Sequence, residues 1–214
     1  MAFKQYTDIA LVISEFKLNY QEAAFVTPTA FAISQTFLDE FNFVEQYIDT
    51  RASEFAVCEN VLYPILKEVY KSYVERLALW SHKTIRYDKK LTGEPDYLLA
   101  TRSEQGKVVM GRPLVLVVEA KKNDFDKGWG QCAAELVAAQ KLNGDPAFPV
   151  YGIVSDGKVW EFGQLRENVF TKHKPLIFTA NLPEVFGAID FVLKVIVAAL
   201  PKFQAAPVGN NTGK

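Results

Sequence analysis

The spacing of apolar positions changes along the chain, and the changes mark its elements. Leu114-Val115-Leu116-Val117-Val118 is continuous, short and β-branched, so it predicts a strand buried on both faces of a covered sheet. Upstream, Pro95 can open a strand but not sit inside one, so a second strand begins near Asp96 and covers Tyr97 to Ala100. Ser103-Glu104-Gln105-Gly106 and Gly111-Arg112-Pro113 are turn signals between the two. Thr84, Ile85 and Tyr87 predict a strand leading into a turn at Gly93. Val150 to Ser155 predicts another. Asp156-Gly157 then turns the chain back through Lys158 to Phe162, with Trp160 and Phe162 on one face. Phe170 to Phe178 adds a last strand.

Helical spacing alternates with these strands. Asp8 to Phe16 and Ala30 to Tyr47 are amphipathic candidates, the second carrying Phe31, Phe37, Leu38, Phe41 and Val44. Residues 51 to 80 form a longer helical stretch behind a Ser53 cap, with a kink or break expected at Pro64. Trp129 to Leu142 is helical and stops near Asn143-Gly144. Leu182 to Leu200 follows Asn181, with Pro183 early. The resulting order is helix, three strands, helix, two strands. It predicts an α/β fold with a mixed central sheet flanked by helices. Residues 1–50 read as an N-terminal helical and strand extension packed on a core of residues 51–203. Residues 204–214, rich in Ala, Pro, Gly and Asn, read as a loose tail.

Composition narrows this picture. The 214 residues suffice for one domain with a sizeable core. The formal net charge of -1 excludes a global positive field and argues against tight non-specific binding of nucleic acid. Only a local patch offsets it, at Lys83, Arg86, Lys89 and Lys90. Those cations either hold a phosphate backbone or guard an edge strand. Cys58 and Cys132 have no disulfide or zinc spacing, which fits a reducing cytoplasm. His82 and His173 are too few for a histidine-built metal site. Ile9 to Ile13 is too short for a signal peptide, and Phe191 to Leu200, interrupted by Lys194, is far below a membrane span of roughly 20 residues.

The strand ends carry the chemistry. An antiparallel register that puts Thr101 opposite Leu114 also puts Asp96 opposite Glu119, and opposed residues share a face. Alternation sets Lys121 on the face of Glu119 and Ala120 on the other. A slip of one residue would turn Asp96 away. Two carboxylates forced together repel unless a cation joins them. Lys121 supplies part of that charge, and a divalent metal would supply more. Mg²⁺ is held by one or two carboxylates with waters and phosphate oxygens. Beside a lysine, such an ion suits phosphodiester hydrolysis.

Gly93-x-Pro95-Asp96 followed by Glu119-x-Lys121 at the end of an apolar strand resembles the PD-(D/E)XK nuclease superfamily. It is similar in particular to the nuclease domains at the start of type I restriction motor subunits. The resemblance implies a restriction-endonuclease-like αβββαβ core and a site built on Asp96, Glu119 and Lys121. It also implies a glutamate on the first helix that reaches the metal, for which Glu59 is the candidate and Glu54 the alternative. Mg²⁺ (or Mn²⁺) would then be bound by Asp96, Glu119, Glu59 and, by analogy, the carbonyl of Ala120. Polar groups on the helix after the motif strand complete the family's site. Gln131 and Glu135 lie on one face there, with Gln140 a weaker third. Asp124 and Asp126 read as a solvated loop.

The activity implied is that of a cytoplasmic, metal-dependent endonuclease cutting DNA in restriction, defence or DNA processing, and many relatives cut as homodimers. One alternative is a non-catalytic nucleic-acid-binding or assembly subunit on the same scaffold. Another is an α/β interaction protein whose Glu119–Lys121 pair merely ends a strand.

Overall fold

The computed structural model describes residues 2–203, so the tail expected over 204–214 lies outside the described residues. Helix α1 (Ile9–Phe16) starts where the Asp8 carboxylate accepts a hydrogen bond from the Leu11 N–H at 3.0 Å, and β1 (Asn19–Ala23) follows. Helix α2 (Gln35–Tyr47) starts at a Ser34 cap rather than at Ala30, because the Ser34 hydroxyl accepts from the Phe37 N–H. Helix α3 (Glu54–Val57) runs through a π-helical turn (Cys58–Leu62) into α4 (Tyr63–Tyr70). Pro64 explains the slip. It has no N–H to return to the preceding turn, and the Tyr63 N–H reaches back to the Cys58 carbonyl instead.

The remaining elements are β2 (Leu77–Ser81), β3 (Ile85–Arg86), β4 (Thr92–Gly93), β5 (Tyr97–Arg102), β6 (Met110–Ala120), α5 (Phe125–Asn143), β7 (Val150–Ser155), β8 (Val159–Arg166), β9 (Val169–His173), β10 (Ile177–Phe178) and α6 (Leu182–Ala199). The main sheet runs β1-β9-β8-β7-β6-β5-β2, with β10 paired on β8. It is mixed. Strands β6 and β7 are parallel, as are β1 and β9, and every other neighbour is antiparallel.

Strand β6 is central, and Leu114 to Val118 is buried on both faces, as a continuous apolar run requires. One face packs on α3, α4 and α6, with Trp160, Phe162 and Phe186 inside. The other packs on α5, which in turn carries α1, around Trp129 and Phe170. The fold is therefore α/β, a mixed sheet between helices. No helix among the described residues is long and apolar enough to cross a membrane.

Three more expectations change. Residues 77–80, expected within the helical stretch, belong with Ser81 to β2, because Leu79 pairs with Leu99 and the sheet edge overrides local spacing. The strand expected at Thr84 to Tyr87 is instead the short ribbon β3–β4, off the main sheet. The β5–β6 register holds at Tyr97↔Val118, Leu98↔Val117 and Leu99↔Leu116 and then shifts. Ala100, not Thr101, faces Leu114, with Val115 as the extra residue of a bulge. The bulge lies away from Asp96 and leaves that end of the ladder in register.

Candidate active site

Tyr97 pairs with Val118, so Asp96 and Glu119 are the next residues on each strand. Leu98 and Val117, two residues back, belong to the core under α5, so Asp96 and Glu119 share the α5 face. The Asp96 carboxylate ends the ladder itself, its Oδ2 accepting from the Ala120 N–H at 2.7 Å. The Lys121 N–H continues the parallel pairing to β7 by donating to the Ser155 carbonyl at 2.9 Å. That bond fixes the backbone from which the Lys121 side chain departs. Its Nζ lies 3.1 Å from Glu119 Oε2, and the two residues are 5% and 2% exposed.

Helix α5 closes the floor. Gln131 and Glu135 are both buried, and the Glu135 carboxyl hydrogen-bonds Glu119. Glu135 Oε2 is buried with no hydrogen-bond partner. Gly128 lets the helix come this close, since a Cβ there would stand 2.8 Å from Lys121 Cγ and 2.6 Å from Val154 Cγ1.

The carboxylates disturb one another. Burial, then the charge of Asp96, pushes the Glu119 carboxyl up, with Lys121 opposing. Burial and the neighbouring Glu119 push Glu135 well above the usual range, so Glu135 is the protonated partner of the pair. Burial also raises Asp96, against the Ala120 N–H and the Lys121 charge. For Lys121, burial acts to lower the amine, but Glu119, Glu54 and Asp96 together outweigh it and hold it charged. One buried cation thus faces more acid than it can neutralise.

Above the cluster opens a cavity of about 320 Å³. Asp96, Glu119, Lys121 and Gln131 line it from the sheet end and α5, and Glu54, Phe55, Cys58 and His82 from the first helix and the residue after β2. Lys4, Glu94 and Lys127 complete the lining. Cys58 is not a nucleophile, because burial pushes its thiol up to about 12.

The structure does not bring Glu59 to the cavity. Residues 54, 55 and 58 of the first helix face it, while Glu59 is exposed one position further round. Glu54, the alternative, is the helix carboxylate that lines the wall. Gln140 lies elsewhere, donating to the Glu167 carbonyl at 3.0 Å. Asp124 caps α5 by accepting from the Lys127 N–H, and Asp126 is exposed on its first turn. In the basic patch, Lys90 pairs with Glu15 at 2.7 Å and Lys83 lies over the Trp80 ring, while Arg86 and Lys89 are exposed.

His82, Phe55, Lys4 and Lys127 were not legible as neighbours of Asp96, since nothing in their spacing links them to it. His82 arrives because its N–H donates to the Asp96 carbonyl at 3.0 Å. Its Nδ1 is 3.8 Å from Asp96 Oδ1.

Among the described residues no group of three or more His, Cys, Asp or Glu side chains is arranged to hold a metal ion. The described residues offer two carboxylates at neighbouring strand ends and nothing resembling a closed cage. A scan against protein-family models gave no match to the chain, and a search of curated proteins gave none either.

Proposed function

We propose that the chain is a metal-dependent nuclease of PD-(D/E)XK type that hydrolyses phosphodiester bonds, with DNA as its substrate. The observation that carries this reading is the buried Lys121 amine, 3.1 Å from Glu119, beside a second acid that raises Glu119 rather than relieving it. Such crowding costs stability, and a functional role is the reason to keep it. The order α3–α4, β2, β5, β6, α5, β7, with β7 parallel to β6, supports an αβββαβ core.

The donor set suits Mg²⁺ or Mn²⁺, which take one or two carboxylates and fill their remaining positions with water and phosphate oxygens. It does not suit zinc, whose structural sites are closed by four protein ligands. Asp96 and Glu119 would hold the ion, with the Ala120 carbonyl beside them and Glu54 in place of Glu59 as the facing helix carboxylate. When bound, the ion polarises the phosphoryl group and acidifies a water.

The chain's own groups do the rest. Lys121 stabilises negative charge as it builds on the phosphoryl oxygens. Glu135 donates its proton in a hydrogen bond to Glu119 and so keeps that carboxylate ionised and oriented. Gln131 lines the wall beside them. The basic ribbon β3–β4 leads into Glu94 at the rim and offers Arg86 and Lys89 to the backbone of the substrate.

The test is cleavage of plasmid and oligonucleotide in Mg²⁺ or Mn²⁺ by the parent chain, Asp96→Asn, Glu119→Gln and Lys121→Met. All three substitutions should abolish cutting, and chelator should abolish it in the parent. Binding without cutting in the parent would favour a non-catalytic nucleic-acid-binding subunit. Neither binding nor cutting would overturn both readings.

A further inference from the structure

The cavity rim carries rings as well as charges. Phe55 lines it and is 68% exposed, with its centroid 6.4 Å from that of His82. His82 lies 6.1 Å from Tyr97, and Tyr97 stacks on Tyr63 at 5.8 Å with 23° between the planes. The row passes through a buried ring, Tyr97, whose hydroxyl is anchored on the Cys58 carbonyl at 3.0 Å. It ends on two exposed rings over the acidic cluster. His82 has φ 47, a left-handed conformation uncommon outside glycine, and its N–H is tied to Asp96. That backbone holds the imidazole over the cavity beside Asp96.

Phe55 leaves about two thirds of its surface to solvent. An apolar ring displayed at the mouth of a charged cavity offers a stacking surface, and every nucleobase has a face that fits one. Charge points the same way. Proteins that track a duplex depend heavily on cations along its phosphates. Here the chain carries a net charge of -1, and the rim sets Glu54 and Glu94 beside Lys4 and Lys127. Stacking can supply the affinity that so few cations do not, but only if the base is out of its helix.

Resting on the nuclease reading above, we propose that this site takes unpaired nucleotides. The substrate is a single strand, a flap or a frayed end whose base next to the reacting phosphate stacks on Phe55, with the His82 ring, tilted 57° to it, at the base edge. An intact duplex presents that face only at the cost of unpairing and unstacking the base.

The experiment uses Glu119→Gln protein, which retains the rings and should not cut, and fluorescence anisotropy with a labelled oligonucleotide, single-stranded or annealed. The single strand should bind at least about tenfold more tightly than the duplex. Adding Phe55→Ala should weaken the single strand by about five- to hundredfold and leave the duplex within about twofold, while Phe55→Trp should retain binding. Equal affinity for the two forms, or no effect of Phe55→Ala on the single strand, overturns the inference.

Cleavage by the parent chain separates the two proposals. Cutting of intact duplex that is indifferent to Phe55→Ala leaves the nuclease reading standing and removes this one. Phe55-dependent binding of single strands without any cutting supports the stacking surface and removes the catalytic reading.

Discussion

Replacing Glu119 with glutamine keeps the side chain's shape and removes its charge, so it isolates the electrostatic cost of the cluster. In the metal-free protein the Glu119 carboxyl is pushed up from its ordinary 4.5 to about 7. A folded-state pKa above the unfolded one contributes stability that is full below about 4.5 and lost as pH rises through about 7. At about 1.4 kcal/mol per pH unit, that loss is about 3 kcal/mol by pH 8. It belongs to the Glu119–Glu135 pair, which titrates together. Glutamine does not titrate.

Glu119→Gln should therefore match the parent near pH 5 and exceed it by up to about 3 kcal/mol near pH 8. The assay is urea unfolding at both pH values with chelator present. If the variant is instead less stable than the parent near pH 8, Lys121 outweighs Asp96 and Glu135, and the acids do not crowd. An increase in stability coupled to a loss of cutting would mark Glu119 as retained for function.

Three further outcomes follow from the same geometry. Lys121→Met leaves buried carboxylates without their amine and should cost about 3–5 kcal/mol near pH 8 in urea unfolding, and less near pH 5, where Glu119 takes up a proton. Gly128→Ala brings a methyl group to 2.8 Å from Lys121 Cγ. The gain in helix propensity of about 1 kcal/mol only partly offsets overpacking of about 1–3 kcal/mol, so thermal unfolding should show a net cost of up to about 2 kcal/mol while cutting falls more than about tenfold.

Asp190 is remote from the cavity, and its buried carboxylate receives Tyr73 at 2.6 Å, Thr29 at 2.5 Å and Lys194 at 2.6 Å. Burial alone would raise it, but these partners hold it below the usual range. Its stabilisation is thus present above the unfolded value near 3.8 and lost as pH falls through the folded one. Asp190→Asn should cost about 1–3 kcal/mol near neutral pH, with the difference narrowing in acid and cutting per folded molecule unchanged.

The parts of the site that were legible in the sequence are those set by short-range periodicity. A β-branched run with no polar break announced β6, and alternation put Glu119 and Lys121 on one face of it. The Asp96–Glu119 register could be proposed from the two strand ends, because the bulge at Val115 falls on the far side of the pairs that matter. Gln131 and Glu135 share a face by helical spacing alone.

What failed depends on partners distant in sequence. Leu77 to Ser81 fits a helical continuation until β5 offers it an edge. Asn19 to Ala23 is polar and exposed throughout, and it becomes a strand only by pairing with β9. Glu59 reads as the helix acid because it is set within an apolar stretch, with Cys58 and Leu62 around it. Glu54, Phe55 and Cys58 face the cavity at ordinary helical spacing, and Glu59 is exposed beside them, so Glu54 takes the wall instead. His82 and Phe55 enter only through the folded sheet end.

The most direct test of the central claim is an anomalous-diffraction map from crystals of the parent chain grown with Mn²⁺. The account predicts one peak bonded to the carboxylates of both Asp96 and Glu119, and its loss in Asp96→Asn. A map with no peak between them, or with manganese bound elsewhere while Lys121 still spans to Glu119, would contradict it.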